Sequence, residues 1–311
     1  MSYVKHLLSL GIAYSSIYTH HLPALALFHT CSVYHDPTSH PVMKMVTARL
    51  RDAHARKPSK KKLPAVHSMI RRSWYMSTEG LPQLMQAAAA TLAFFLMLRS
   101  CEYSSKSQST FDPKYQSVRK DVEFVSHSDA LFSIDSILDA RRHPVHGYVF
   151  KLADGNYYPV SAFLKYAKIT IHGSKVGGST DWTRSVSPSG HELCALSILL
   201  FFMWRTRTVP SSSPLFSLPS GEILTYTSML AHVKRTAADV GLPPSDYGTH
   251  SYRSGGCSHL LSAGVPADVI RILGRWSSDA FFLYAVPSIQ MFAGLSEAVA
   301  RPVNMTFLSR L

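Results

Sequence analysis

The chain has 311 residues, with 32 Lys+Arg against 19 Asp+Glu and a formal net charge of +13. Its 46% hydrophobic content excludes wholesale disorder, and the scarcity of acidic residues favours a polyanionic partner. Cys31, Cys101, Cys194 and Cys257 are widely separated with no CxxC pair, which argues against a disulfide scaffold or a thiolate zinc site and fits a reducing compartment. The sixteen histidines include no H-E-x-x-H, and no G-x-x-x-x-G-K-[ST] is present, so neither a metal nor a nucleotide cofactor is expected. The N-terminus carries no basic leader followed by a small-residue cleavage site, so an intracellular location is expected.

In chain order, the first fifty residues read as helices. Tyr3–Leu10 stops at Gly11, and a second helix runs from Ser15 or Ser16 to about Thr30 with Pro23 inside it. A third follows the two prolines of 35–41, from about Val42 to Ala55. Residues 51–64 hold six Lys/Arg, one Asp and two prolines, the composition of a linker. Its Arg56, Lys57, Lys60, Lys61 and Lys62 are either simply solvated or touch nucleic-acid phosphates. The domain division that follows is 1–56, a basic linker at 57–65, and 66–311.

Leu81–Leu98 and Leu193–Trp204 are strongly apolar but shorter than the roughly 20 residues of a membrane span, so they read as buried core helices. Between 120 and 185, β-rich runs appear at Val122–Val125, Gly147–Leu152 and Tyr166–His172, separated by turn residues. Helical pattern returns over His191–Arg205, Thr227–Val240, Ser251–Ala263 and Pro266–Leu273, the last three closed by Gly241, Gly264 and Gly274. Ile289, Phe292, Leu295 and Val299 then form an amphipathic stripe. The fold class is therefore mostly α with a small antiparallel β-sheet (α+β).

The most informative segments are GTHSYRSGG at 248–256 and LGRWSSDAFFLY at 273–284. His250 and Arg253 are three apart at a helix start and share one face. Trp276 and Tyr284 follow within a short reach. With M-L-R-S-C-E-Y at 97–103 and Gly173-Ser174-Lys175 after a strand, this set resembles the tyrosine recombinase (phage integrase) family, in a style close to integrases of eukaryotic mobile elements. The resemblance covers roughly 66–290. It implies a helical N-terminal DNA-clamp domain, here partial, and a mostly α catalytic domain with a small sheet. It implies site-specific cutting and rejoining of double-stranded DNA through a 3′-phosphotyrosyl intermediate, as a homotetramer on two DNA sites. No membrane and no small-molecule cofactor are implied, and a mobile-element enzyme of this kind is expected in the nucleus.

The implied roles are Tyr284 as nucleophile, Arg99 and Arg253 as phosphate clamp, Lys175 as general acid, His250 as acid/base or phosphate donor, Trp276 as supporting donor and Glu102 as organiser. The chemistry suits the residue types. A phenol of pKa near 10 is about one part in a thousand ionised at pH 7, an offset of roughly 4 kcal/mol. One guanidinium at about 4 Å and an effective dielectric near 20 supplies about that much. Planar guanidinium forks also match the non-bridging oxygens of a phosphodiester.

Blander readings stand beside these. Tyr284 after Phe281-Phe282-Leu283 also reads as a core aromatic, Arg99 as a helix-end cation, Lys175 as a solvated neighbour of Lys165 and Lys168, and Trp276 as core filler. Residues 251–284 also read as a helix-turn-helix, although Pro266–Leu273 offers only Arg271 for reading a groove. The alternatives are thus a catalytically inactive DNA-binding protein on the same scaffold, and a type IB topoisomerase with the same tyrosyl chemistry.

Overall fold

The structure is a computed structural model. It describes residues 2–12, 16–32, 34–41, 43–45, 48, 62–113, 116–172 and 181–276. The chain divides into two compact units, 1–61 and 62–311. In the first, α1 (Ser2–Ser9) is followed by a single π-helical turn (Ile17–His21) and by α2 (Leu22–Cys31). The helix expected from Ser15 or Ser16 to Thr30 is thus continuous from Ser16 to Cys31, with the π turn set into it and right-handed helical dihedrals at the His21–Leu22 junction. Pro23 directly follows the π turn, in which the Leu22 N–H reaches back to the Ile17 carbonyl, so the wider local bonding takes up a residue that has no N–H to give. Val4, Leu7, Ile17 and Leu22 make a small core of their own. Of the third helix expected over 42–55, only 43–45 and 48 lie within the described residues, and these are helical.

The second unit is built on two almost wholly buried helices, α4 (Leu81–Phe95) and α6 (Ala195–Arg205). The four consecutive alanines Ala87–Ala90 let neighbours approach α4 on every side, which is why its sequence shows no polar stripe. Against it lie α3 (His67–Met76), α7 (Tyr226–Asp239) and α8 (His250–Ser262). Trp74 of α3 is buried and donates its indole N–H to Thr91 Oγ1 at 2.8 Å, so its polar atom is satisfied inside the core. A single helical turn, α5 (Ser100–Tyr103), and the short α9 (Ala267–Gly274) complete the described helices. No described helix is long and apolar enough to cross a membrane.

Among the described residues there are two three-stranded antiparallel sheets, where one small sheet was expected. The first has the order β1 (Val122–Ser126), β5 (Leu164–Ile171), β6 (Trp182–Val186), with Val122 opposite Ile169 and Ile169 opposite Arg184. The second is the meander β2 (Asp139–His143), β3 (Gly147–Lys151), β4 (Tyr157–Pro159). Its outer strands carry charged, half-exposed or very short sequences, and so give no apolar alternation to read.

The approach of α8 to α4 depends on two glycines. A Cβ on Gly256 would fall 2.0 Å from the Phe94 carbonyl oxygen, and one on Gly255 would fall 2.3 Å from the Ala65 carbonyl oxygen. Both obstacles are main chain and cannot swing aside. Gly256→Ala is therefore expected to destabilise the fold by about 3 kcal/mol, read as a lower urea midpoint, with the exposed Ser262→Ala as reference. An unchanged midpoint would show that the two helices can separate freely.

His232 of α7 is buried, with Nε2 2.7 Å from Ser73 Oγ on α3 and Nδ1 without a partner among the described residues. Burial, aided by the Arg235 charge, pushes its pKa from 6.5 down to about 4. The folded value lies below the unfolded one, so acid protonates the unfolded chain first. The contribution is complete above pH 6.5 and lost as pH falls towards 4. About 3 kcal/mol of unfolding free energy should disappear between pH 7.5 and 4 in the wild type but not in His232→Leu, measured by urea titration at both pH values.

Candidate functional site

The site forms where α4 ends, α5 begins and α9 stops. Arg99 precedes α5 with extended dihedrals, and Glu102 sits in the third position of that single turn. Glu102 Oε2 accepts the Arg99 main-chain N–H at 2.7 Å, and Oε1 accepts Arg99 Nη1 at 3.0 Å. Glu102 is buried and Arg99 is only partly so, its side chain 28% exposed. The carboxylate thus bonds both the main chain at the start of the turn and the guanidinium that leaves it.

Arg253, one turn into α8, is almost fully buried. It donates Nη1 to the Met97 carbonyl and Nη2 to the Gly274 carbonyl at 2.5 Å, and its guanidinium lies 4.1 Å from the centroid of the Trp276 ring. Such stacking is a cation–π contact. The indole in turn lies so close over Gly274 that a Cβ there would stand 1.6 Å from a ring carbon, which explains the glycine in L-G-R-W. Trp276 therefore meets Arg253 through its π face.

The C-terminal end of α9 organises the guanidiniums. The last carbonyls of a helix have no intrahelical partner and carry the negative end of its dipole. Here Ile272 O and Leu273 O accept Arg184 Nη2 at 3.1 and 3.3 Å, Gly274 O accepts Arg253, and Arg275 O accepts Arg99 Nη2 at 3.4 Å. Arginines from β6, α8 and the start of α5 thus converge on four consecutive carbonyls. Two of the accepting residues outside the helices, Met97 and Arg275, have φ of 50° and 58°, the left-handed region that side chains rarely occupy. Met97 presents its carbonyl to Arg253 and Arg275 presents its own to Arg99, a pattern of backbone cost gathered at one place.

His250 opens α8 and its side chain remains accessible, although its ring stands in a crowded neighbourhood. Desolvation, then the Arg253 and Arg99 charges, lower its pKa from 6.5. It is therefore neutral at pH 7 and able to accept a proton. The same two charges acting on one imidazole place His250, Arg99 and Arg253 in a common electrostatic field.

Lys175, Tyr284, Arg56, Lys57, Lys60 and Lys61 lie outside the described residues. Lys62 is described: it is exposed and donates Nζ to the Ser245 carbonyl at 2.5 Å. Of the expected site, the structure thus brings together Arg99, Glu102, His250, Arg253 and Trp276.

The trace is similar to that of solved integrase and recombinase structures. The Tn1549 transposon integrase in complex with circular intermediate DNA shares 12% identity, covering 96% of this chain and 83% of that one, with a TM-score of 0.48. XerA recombinase shares 11%, covering 97% and 82%, with a TM-score of 0.46. The Tn1549 integrase with transposon right end DNA shares 10%, covering 96% and 84%, with a TM-score of 0.47. No protein-family model and no curated protein matches the chain.

Two residues of the site were missed from sequence. Arg275 donates Nη2 to Glu102 Oε2 at 2.7 Å, the side chains only 3% and 4% exposed. Arg184 holds the α9 end and lies 5.5 Å from the Trp182 ring centroid. The available signal was compositional: in a chain so poor in acids, several arginines near one carboxylate are held by something else, and helix-end carbonyls are the commonest substitute.

Proposed function

We propose that this chain is a tyrosine recombinase that cuts and rejoins duplex DNA through a phosphotyrosyl intermediate. The observation that carries the reading is the convergence of Arg99 and Arg253, distant in sequence, on one helix end beside a neutral His250. Two forks held by main-chain carbonyls and a carboxylate are pre-arranged for a monoanionic phosphodiester, whose charge grows in the transition state.

In the proposed reaction, Tyr284 Oη attacks the scissile phosphorus while His250 takes its proton. The bond from phosphorus to the 5′ oxygen breaks, and Lys175 protonates that oxygen. Arg99 and Arg253 neutralise the non-bridging oxygens throughout. The phosphotyrosyl ester keeps the energy of the broken linkage, so a 5′ hydroxyl from another strand reverses the sequence without nucleotide hydrolysis. The resemblance adds a homotetramer on two duplexes and a nuclear location to the proposal, with the basic stretch from Arg56 to Lys62 running along phosphates. Affinity should then fall steeply with salt.

The test begins with selection of a bound duplex from a random pool. A nicked version of that duplex lets the 5′ fragment diffuse away and traps the covalent complex. The wild type should give a denaturant-resistant protein–DNA adduct and Tyr284→Phe none. Binding without an adduct would overturn the enzymatic reading and leave a DNA-binding protein. An adduct with supercoil relaxation but no recombinant products would overturn strand exchange in favour of a topoisomerase.

A further inference from the structure

We propose that Arg275 is a positioning residue for Arg99, keeping that guanidinium available to the phosphate by occupying one oxygen of Glu102. The inference rests on the phosphodiester reading above and adds a residue to it.

The contacts form a closed ring. Arg99 reaches Glu102 through its main-chain N–H and Nη1, Arg275 reaches Glu102 through Nη2, and Arg99 Nη2 returns to the Arg275 carbonyl. Arg275 therefore meets Arg99 from two sides. Arg184 and Arg253 also use the α9 end, but among the described residues only Arg99 and Arg275 bond Glu102.

The division of the carboxylate decides what Arg99 can do. Left alone, a carboxylate and a guanidinium prefer a two-pronged pairing that engages both oxygens and two nitrogens. Here Oε2 is already shared by Arg275 Nη2 and the Arg99 N–H, each at 2.7 Å, so Arg99 is left with Oε1 and a single prong. Among the described residues its Nη2 is held only by the Arg275 carbonyl at 3.4 Å, a long and weak bond. A phosphate oxygen can take that donor at little cost. Remove Arg275, and Glu102 is free to rotate and capture both prongs.

The residue is kept at a cost that folding alone does not require. Its backbone is left-handed, and its Nε and Nη1 are buried without a partner among the described residues. An apolar side chain of similar volume would serve packing as well or better than a buried ion pair. A guanidinium that divides a carboxylate gives this cost a function.

The test compares Arg275→Met with Arg275→Lys, which keeps a cation at Oε2. On the selected nicked duplex, Arg275→Met should lose about a hundredfold in adduct rate, the scale of a misplaced catalytic group, at nearly unchanged duplex affinity. Arg275→Lys should recover most of the rate. The double variant Arg99→Lys/Arg275→Met should be no slower than Arg99→Lys alone, because both changes act through one group. A folded Arg275→Met with the wild-type rate, or defects that multiply in the double variant, would overturn the proposal. Should Arg275→Met not fold, Arg275→Gln is read in its place under the same criteria.

A readout independent of DNA keeps the two claims apart. In arginine-labelled protein the Arg99 Nε–H resonance should shift in Arg275→Met while that of Arg253 stays. No shift would overturn the inference even if adducts form. A wild type that never forms adducts would overturn the proposed function and leave this readout standing.

Discussion

Arg253→Ala is expected to reduce covalent-adduct formation by at least about a thousandfold, the upper range for losing a preorganised donor to a developing oxyanion. The side chain is buried, joins the Met97 and Gly274 carbonyls, and lies under the Trp276 ring. Its removal takes away the proposed phosphate ligand and also the bonds that join the Met97 carbonyl, just past α4, to the Gly274 carbonyl at the end of α9. Arg253→Lys separates these effects. It keeps the charge but cannot span both carbonyls, so it should remain slow by about a hundredfold if fork geometry matters. Rates are to be taken below the unfolding midpoint of each variant. Adduct formation within tenfold of wild type in Arg253→Ala would remove this residue from the clamp.

Glu102→Ala should produce the largest loss of stability, about 3–5 kcal/mol, since it leaves the Arg275 guanidinium buried with no counter-charge. The useful contrast is Glu79→Ala. Glu79 pairs with Arg235 at 3.1 Å on the surface, where such pairs contribute about 0–1 kcal/mol. Urea titration of both variants at pH 7.5 checks the difference. A Glu102→Ala midpoint matching that of Glu79→Ala would mean that water or a neighbouring group replaces the carboxylate. Glu102→Gln should fall between, since the amide still accepts a hydrogen bond but neutralises nothing.

The helical frame was legible in sequence because its signals are local. Gly241, Gly264 and Gly274 mark the ends of α7, α8 and α9 to within two residues, and strongly apolar runs mark α4 and α6 as central. The start of α6 was placed early, at His191, because Cys194 keeps extended dihedrals that composition does not reveal. β2 was illegible because every residue of Asp139–His143 except Ala140 is polar, and β4 because three residues ending in Pro159 carry no period. Within the site, the residues with a motif were legible and those with only a place were not. Arg99, Glu102, His250 and Arg253 stand at motif spacing. Arg275 lies inside the L-G-R-W run but reads there as an ordinary helix-end cation, because its carboxylate partner is 173 positions away. Arg184 is one basic residue on a mostly exposed strand, and its target is a carbonyl that no side chain announces.

That carbonyl anchorage bears on how the protein could be rewritten. Three of the four arginines are oriented by main-chain oxygens of 272–275, which every amino acid except for its conformation supplies equally well. The outward residues of α9, Val269, Ile272 and Leu273, are exposed and contribute no side-chain atom to those bonds. They form a free alphabet on the back of the clamp: an engineer seeking a more soluble or differently paired variant could change them to polar helix formers without retuning the guanidiniums, provided that the helix keeps its length and its left-handed exit.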